Sequence, residues 1–193
     1  MSGAAAPRAP RGGAAGRAAA LAAEAGLPEA LRDYRPNVGM CVVNAEGKVF
    51  AARRLDDPNP DSWQMPQGGI DPGEAPLQAA VRELQEEVSI ISVELVGEIQ
   101  EWVSYDFPTE VRSRFTGEWA RFRGQAQRWF LFRFTGPDSE VDLETDHAEF
   151  SEWRWMDLGE LPAKVIPFKR GVYEVVAAQM GAKIGALRDE GRL

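Results

Sequence analysis

The period of the apolar positions changes several times along the chain, and each change marks an element. "VGMCVVN" (38–44) and "KVFAARR" (48–54) are short apolar or alternating runs separated by "AEG", the pattern of a β-hairpin. "DDPNPDS" (56–62) is a loop by its Pro, Asn and Asp content. Leu77, Val81, Leu84 and Val88 then recur at helical spacing behind Pro76, which suits a first helical turn. The spacing predicts a helix over 76–88 that packs through this one stripe. "SVELVGEIQEWVSY" (92–105) and "QAQRWFLFRF" (125–134), rich in β-branched and aromatic residues, predict two long strands lying side by side. "EWRWM" (152–156) alternates as a further strand, and residues 168–188 read as a closing helix. Hairpins and helices mixed in this way predict an α/β fold, a sheet packed between helices.

The upstream segment breaks this texture. Its first 23 residues hold three arginines, no acidic residue and mostly Ala, Gly and Pro, a composition that builds no core. Residues 1–33 are therefore expected to be a disordered tail or a transit peptide, and 34–193 a single domain. A chain of 193 residues that is 44% hydrophobic suits one well-cored domain plus a tail.

Composition removes several kinds of chemistry. Cys41 is the only cysteine and His147 the only histidine, so an internal disulfide, a cysteine-rich zinc site and a multi-histidine centre are excluded. Acid, base and metal work falls to Asp and Glu. The net charge of −8 argues against a broad basic surface for scanning nucleic acid. No apolar run approaches the ~20 residues of a membrane span, so a soluble protein is expected.

The carboxylates of the helix carry the chemistry. Glu83, Glu86 and Glu87 lie at i, i+3 and i+4, on a face turned away from the apolar stripe. Like charges at that spacing weaken a helix, and Arg82, four residues before Glu86, offsets part of the repulsion. A divalent cation offsets more: Mg²⁺ and Mn²⁺ are hard ions that take carboxylate, water and phosphate oxygens. A solvated acidic face is the ordinary reading of any three such glutamates. It fails against the longer constellation of Gly68, Glu74, Arg82, Glu83, Glu86 and Glu87 at fixed spacing, which chance supplies in on the order of one in 10⁷ windows.

That constellation resembles the Nudix box, with Ser89 in place of the last glycine of the pattern. "YRPNVGMCVVN", "SWQMPQGGIDPGE", "WVSYDFP", "GQAQRWFLFRF", "EFSEWRWM" and "FKRGVY" extend the likeness over about 34–176, to the branch holding plant-type diadenosine tetraphosphate hydrolases and bacterial RNA 5′-pyrophosphohydrolases. The resemblance implies the Nudix fold, an α/β/α sandwich with a mixed β-sheet. It implies hydrolysis of a nucleoside diphosphate linked to another moiety, with Mg²⁺ or Mn²⁺ as cofactor. Glu83, Glu86 and Glu87 are then the metal ligands, with the Gly68 carbonyl and Glu149 as further ones; Arg82 orients the carboxylates and Glu74 braces the loop. Glu87 and Glu149 both remain candidates for the general base. Arg35, Arg54 and Lys169 match phosphate-contacting positions, whereas Tyr105 and Phe168 are either base-stacking or core. Trp129, Phe130, Phe132 and Cys41 are expected in the core.

"YDFP", "GEW" and "GQAQRWF" look most like plant-type members, some of them chloroplast proteins, which favours the transit reading of the tail. Hydrolysis of Ap4A to ATP and AMP, with Ap5A as a further substrate, is accordingly preferred. The same chemistry on an RNA 5′-triphosphate or ppGpp is the alternative, and a non-catalytic nucleotide-binding module a third. The partner expected is a small-molecule nucleotide, or an RNA 5′ end under the alternative, with no membrane and no obligate protein partner. Glu86→Gln is expected to abolish metal-dependent turnover with the fold intact; unchanged rates would remove this assignment.

Overall fold

The computed structural model describes residues 20–117, 119–146 and 148–193. Six strands form one mixed sheet: β1 (Tyr34–Val43), β2 (Val49–Arg54), β3 (Gln67–Gly69), β4 (Val93–Asp106), β5 (Gly124–Phe134) and β6 (Phe150–Met156). Their order is β4-β5-β1-β2-β6, with β3 also on β1. β1 and β5 run parallel from Tyr34↔Gly124 to Val43↔Arg133, and the other pairs are antiparallel. The long helices are α1 (Pro76–Val88) and α2 (Arg170–Asp189). The hairpin, the β4–β5 pair, the strand at 152–156, the helix over 76–88 and the closing helix all stand where the periodicity puts them.

β1 is buried along nearly its whole length because helices cover both faces of the sheet, and its side chains alternate between them. Val38, Met40 and Val42 join Phe130, Phe132 and the α1 residues Ala80, Leu84 and Val88 in one core. Cys41 and Val43 join Trp129, Leu131 and the α2 residues Tyr173, Val176 and Met180 in the other. The two layers make the α/β/α sandwich. β1 also shares one edge between two partners: β3 pairs with Asn37 to Gly39, and β2 begins only at Val43↔Val49. Short, glycine-bearing β3 thus lies at the middle of the molecule, where α1 can reach it.

Two expectations are corrected here. In α1 the buried residues are Ala79, Ala80, Leu84, Glu87 and Val88, whereas Leu77 and Val81 remain 37% and 42% exposed. Small side chains at 79 and 80 let the helix lie close to the sheet, and the packed face turns far enough to take Glu87 inside. The second correction concerns the expected tail. Residues 1–19 lie outside the described residues, but 20–24 are helical, and Ala22, Ala25 and Leu27 are buried in the α1-side core. Gly26, at φ +75°, ends that helical turn, and Leu27 N–H donates back to Ala22 O at 2.8 Å, a glycine-capped helix end. The packed structure therefore starts well before residue 34.

Ser89 closes α1 with φ 60° and ψ 11°, the left-handed conformation that the Nudix pattern gives to glycine. A side chain there costs about 1 kcal/mol. It takes no carboxylate away from the helix.

Candidate active site

Arg82 organises the acidic face of α1. Its Nε and Nη2 donate to the two oxygens of Glu74 at 2.9 and 2.8 Å, a bidentate clamp that spans from the loop to the helix. Nη1 donates to both Glu83 Oε1 and Glu86 Oε2 at 2.9 Å, and Nη2 also donates to the Gly69 carbonyl at 2.9 Å. Glu74 additionally accepts from Asp71 N–H at 3.0 Å, so it closes the loop that begins the helix. These bonds raise the Arg82 pKa, Glu74 contributing most, and hold the Glu74 carboxyl below its usual range.

β3 supplies the floor. A Cβ on Gly68 would collide with the Glu83 carboxylate, and one on Gly69 with the Arg35 guanidinium, so two glycines let an acid and a base cross the strand from opposite sides. The cavity above, about 370 Å³, is lined by Arg35, Arg54, Gly68, Glu83, Glu87 and Glu149 together with Asn37, Gln67, Gly69, Trp119 and Gln125. On one wall, Arg54 Nη1 donates to Glu149 Oε2 at 2.5 Å and its Nε to Asp56 Oδ1 at 2.7 Å. An amide network lies beside them: Gln127 Nε2 donates to Asn37 Oδ1 at 2.6 Å and to Gln67 Oε1 at 3.0 Å.

Glu87 is the most unusual member. It is 4% exposed, and its Oε2 has no hydrogen-bond partner among the described residues. Burial, then the nearby Glu149 and Glu83 charges, push its pKa well above the ordinary carboxylate value. Burial raises Glu83 as well, against the pull of Arg82, and lowers Arg35. A buried carboxylate with one oxygen unpartnered, beside two other acids, is costly unless a cation joins it.

As the side chains stand, no group of three or more Asp, Glu, His or Cys among the described residues is gathered tightly enough to hold an ion. Arg82 explains this, because Glu83 and Glu86 both turn their oxygens to its Nη1. The donor set nevertheless fits a hard divalent cation: oxygens only, one of them buried and unsatisfied, with a glycine backbone at the floor.

Of the residues read from sequence, Gly68, Glu83, Glu87, Glu149, Arg35 and Arg54 meet at this cavity, while Glu74 and Arg82 brace it through Arg82's bonds to Glu83 and the Gly69 carbonyl. Glu86 does not line it and stays on Arg82. Three expected substrate contacts, Tyr105, Phe168 and Lys169, are not among the residues lining it. Tyr105 is buried in the α2-side core, its hydroxyl donating to Gln125 Oε1 at 2.5 Å, and Phe168 packs against it with ring centroids 5.6 Å apart. Lys169 is buried, donates to Gln64 Oε1 at 3.3 Å, and is lowered to about 7 by burial and by Arg54. Asn37, Gln67, Gln125 and Trp119 carry no sequence signal as site residues; Trp119 appears only within "GEW", and the glutamines gain meaning once β1, β3 and β5 are paired.

Residues 33–176 match the NUDIX domain family. The chain belongs to the Nudix family. Its relatives include the RNA pyrophosphohydrolase of Rhodospirillum rubrum, 52% identical over 156 residues, covering 81% of this chain and 89% of that protein. The RNA pyrophosphohydrolase of Cereibacter sphaeroides is 53% identical over 147 residues, covering 75% and 89%. Among solved structures, the E. coli dihydroneopterin triphosphate pyrophosphohydrolase superposes with a TM-score of 0.54 at 23% identity, covering 73% of this chain and 94% of that one. A C. elegans Ap4A hydrolase binary complex gives 0.51 at 18%, covering 76% and 98%. The structural likeness is one of Nudix fold, and with the sequence relatives it makes this a Nudix hydrolase acting on pyrophosphate bonds. The sequence relatives are bacterial and lend nothing to the chloroplast expectation; residues 1–19 of the segment expected as a transit peptide lie outside the described residues. No helix among the described residues is long and apolar enough to cross a membrane.

Proposed function

We propose that this Nudix hydrolase removes pyrophosphate from the 5′-triphosphate end of RNA. The observation that carries the reading is the identity of 52–53% to proteins named RNA pyrophosphohydrolase, matched over 89% of their length. Ap4A, the substrate preferred from sequence, is supported by fold-level likeness alone and becomes the second reading.

The cavity suits a polyphosphate. Arg35 and Arg54 line it together with Glu83 and Glu87, so guanidinium groups for phosphate oxygens and carboxylates for a cation share one cavity. Glu83, Glu86 and Glu87, with the Gly68 carbonyl and Glu149 as further donors, would hold Mg²⁺ or Mn²⁺. Such an ion supplies Lewis acidity and neutralises phosphate charge. Arg82 holds Glu83 and Glu86 side by side on one nitrogen, and Glu74 keeps Arg82 in place. Glu149, half exposed on the wall where Arg54 fixes it, is suited to take the proton from the attacking water. Water oxygen bonds to phosphorus as the anhydride P–O bond breaks, leaving a 5′-monophosphate end and pyrophosphate.

The test compares kcat/KM for 5′-triphosphorylated RNA, Ap4A and ppGpp with Mg²⁺ or Mn²⁺. RNA should lead by at least about tenfold, a difference of ~1.4 kcal/mol in transition-state binding. A lead for Ap4A or ppGpp would overturn the RNA assignment and keep the chemistry. Turnover of none would return the protein to the non-catalytic binding reading.

A further inference from the structure

Trp119 is the one aromatic side chain among the residues lining the catalytic cavity, and it is 40% exposed. Its ring packs against the Arg35 guanidinium, 4.2 Å from carbon to ring centroid. Behind it the rings continue inward: Phe115 at 5.6 Å, Phe107 at 4.9 Å from Phe115, and the buried Tyr105 at 5.8 Å from Phe107. An exposed indole is thus anchored to the core through three rings, an arrangement that holds a flat surface in place.

The connection from β4 to β5 that carries Trp119 has a second side. The single helical turn Trp119–Arg121 gives Trp119 to the catalytic cavity and Arg121 to another cavity of about 510 Å³, lined by Asp33, Asp106, Phe107, Arg112, Arg121 and Arg123. Residues 107–123 hold four arginines against two glutamates, a positive segment on a chain of net charge −8. Arg123 is fixed there by Asp106, Nη2 to Oδ2 at 2.6 Å, and lies 5.1 Å from the Tyr34 ring centroid. Tyr34 donates its hydroxyl to the other Asp106 oxygen at 2.7 Å, and Tyr34 adjoins Arg35 in β1.

We propose that this loop is a subsite for the body of an RNA substrate: Trp119 stacks on the base of the 5′ nucleotide, and Arg112, Arg121 and Arg123 receive the phosphodiester that follows. The proposal deepens the RNA reading above and rests on it for the identity of the substrate. Indole faces accept any base, and guanidinium groups suit phosphodiester oxygens, so the subsite grips a single strand with little regard for sequence. It also gives the substrate a direction, triphosphate towards Glu83 and Glu87 and chain outwards past Trp119. A small nucleotide has no phosphodiester to place on the arginines, and the loop therefore selects for length.

The probe is the reaction product, a 5′-monophosphorylated RNA tetranucleotide carrying a 3′ fluorophore, bound to the full chain with Mg²⁺ and followed by anisotropy. Trp119→Ala should weaken binding roughly tenfold, the size of one lost stacked base, whereas Trp119→Phe should stay within about threefold. Arg112→Glu should weaken binding and make the plot of log affinity against log salt shallower by about 0.7, one phosphate contact on a single strand. On triphosphorylated RNA, Trp119→Ala should raise KM more than it lowers kcat. Variants that bind the tetranucleotide as tightly as the native chain overturn the subsite, even if the native chain hydrolyses RNA. Weakened binding in the variants, with a native chain that hydrolyses no triphosphorylated RNA, keeps the subsite and overturns the hydrolytic reading instead.

Discussion

Glu87→Gln should lower kcat by roughly a thousandfold while leaving the melting temperature unchanged or higher. The two effects have one cause. Glu87 is buried beside Glu83 and Glu149 with Oε2 unpartnered, so in the metal-free chain its charge is a burden that an amide of the same shape lacks. The pH dependence follows from the raised pKa. Above the ordinary carboxylate value of about 4.5 an unfolded chain has lost this proton, but the folded chain still holds it. Stability therefore falls as pH rises from there to the folded value, and is flat beyond it. In EDTA the native protein should melt higher near pH 5 than near pH 7, and Glu87→Gln should lose part of that slope; Glu83, raised in the same direction, adds to it, whereas Lys169, lowered to about 7, opposes it at higher pH. Saturating Mg²⁺ should also flatten it, since an adjacent cation favours the ionised carboxylates. A glutamine variant with native turnover would remove Glu87 from the chemistry.

Arg82→Ala should have the largest effect on the fold. Arg82 joins Glu74, Glu83, Glu86 and the Gly69 carbonyl, and removing it leaves three carboxylates facing one another at a partly buried site. The expected cost is about 3 kcal/mol, or a fall in melting temperature of roughly 10 °C for a chain of this length. Arg82→Lys should recover only part, because an ammonium cannot reproduce the two-pronged bond to Glu74. Mg²⁺ should restore some stability to both variants by taking over Glu83 and Glu86. Thermal melts in EDTA and in Mg²⁺ measure this; an alanine variant melting within about 2 °C of the native chain in EDTA would show that the hub is structurally idle.

Local patterns carried the elements well, and contacts between distant elements carried what they missed. The helix over 76–88 is visible because Pro76 and the spacing of Leu84 and Val88 act within a few residues. Which of its faces packs is not, since that depends on Ala79 and Ala80 letting the sheet approach. Glutamates 83 and 87 could be placed on one face from spacing alone, but the burial of Glu87 comes from β3, three residues long and too short for any periodic signal. The helical turn at 20–24 was masked by the Ala-rich stretch before it, although Gly26 followed by Leu27 is a helix-end signature. Tyr105 and Phe168 look identical in sequence whether they face a ligand or each other. Trp119 has no repeating neighbours, and only its contact with Arg35 reveals it.

Glu24, from the segment ahead of β1, accepts a hydrogen bond from Gly73 N–H at 3.1 Å, in the turn that leads from β3 to α1. The matched family domain begins at residue 33, so the acceptor of this bond lies ahead of it. Changes around Glu24 can accordingly tune the entrance turn of the acidic helix without altering a single motif residue, and two relatives identical throughout the box need not hold it equally firmly.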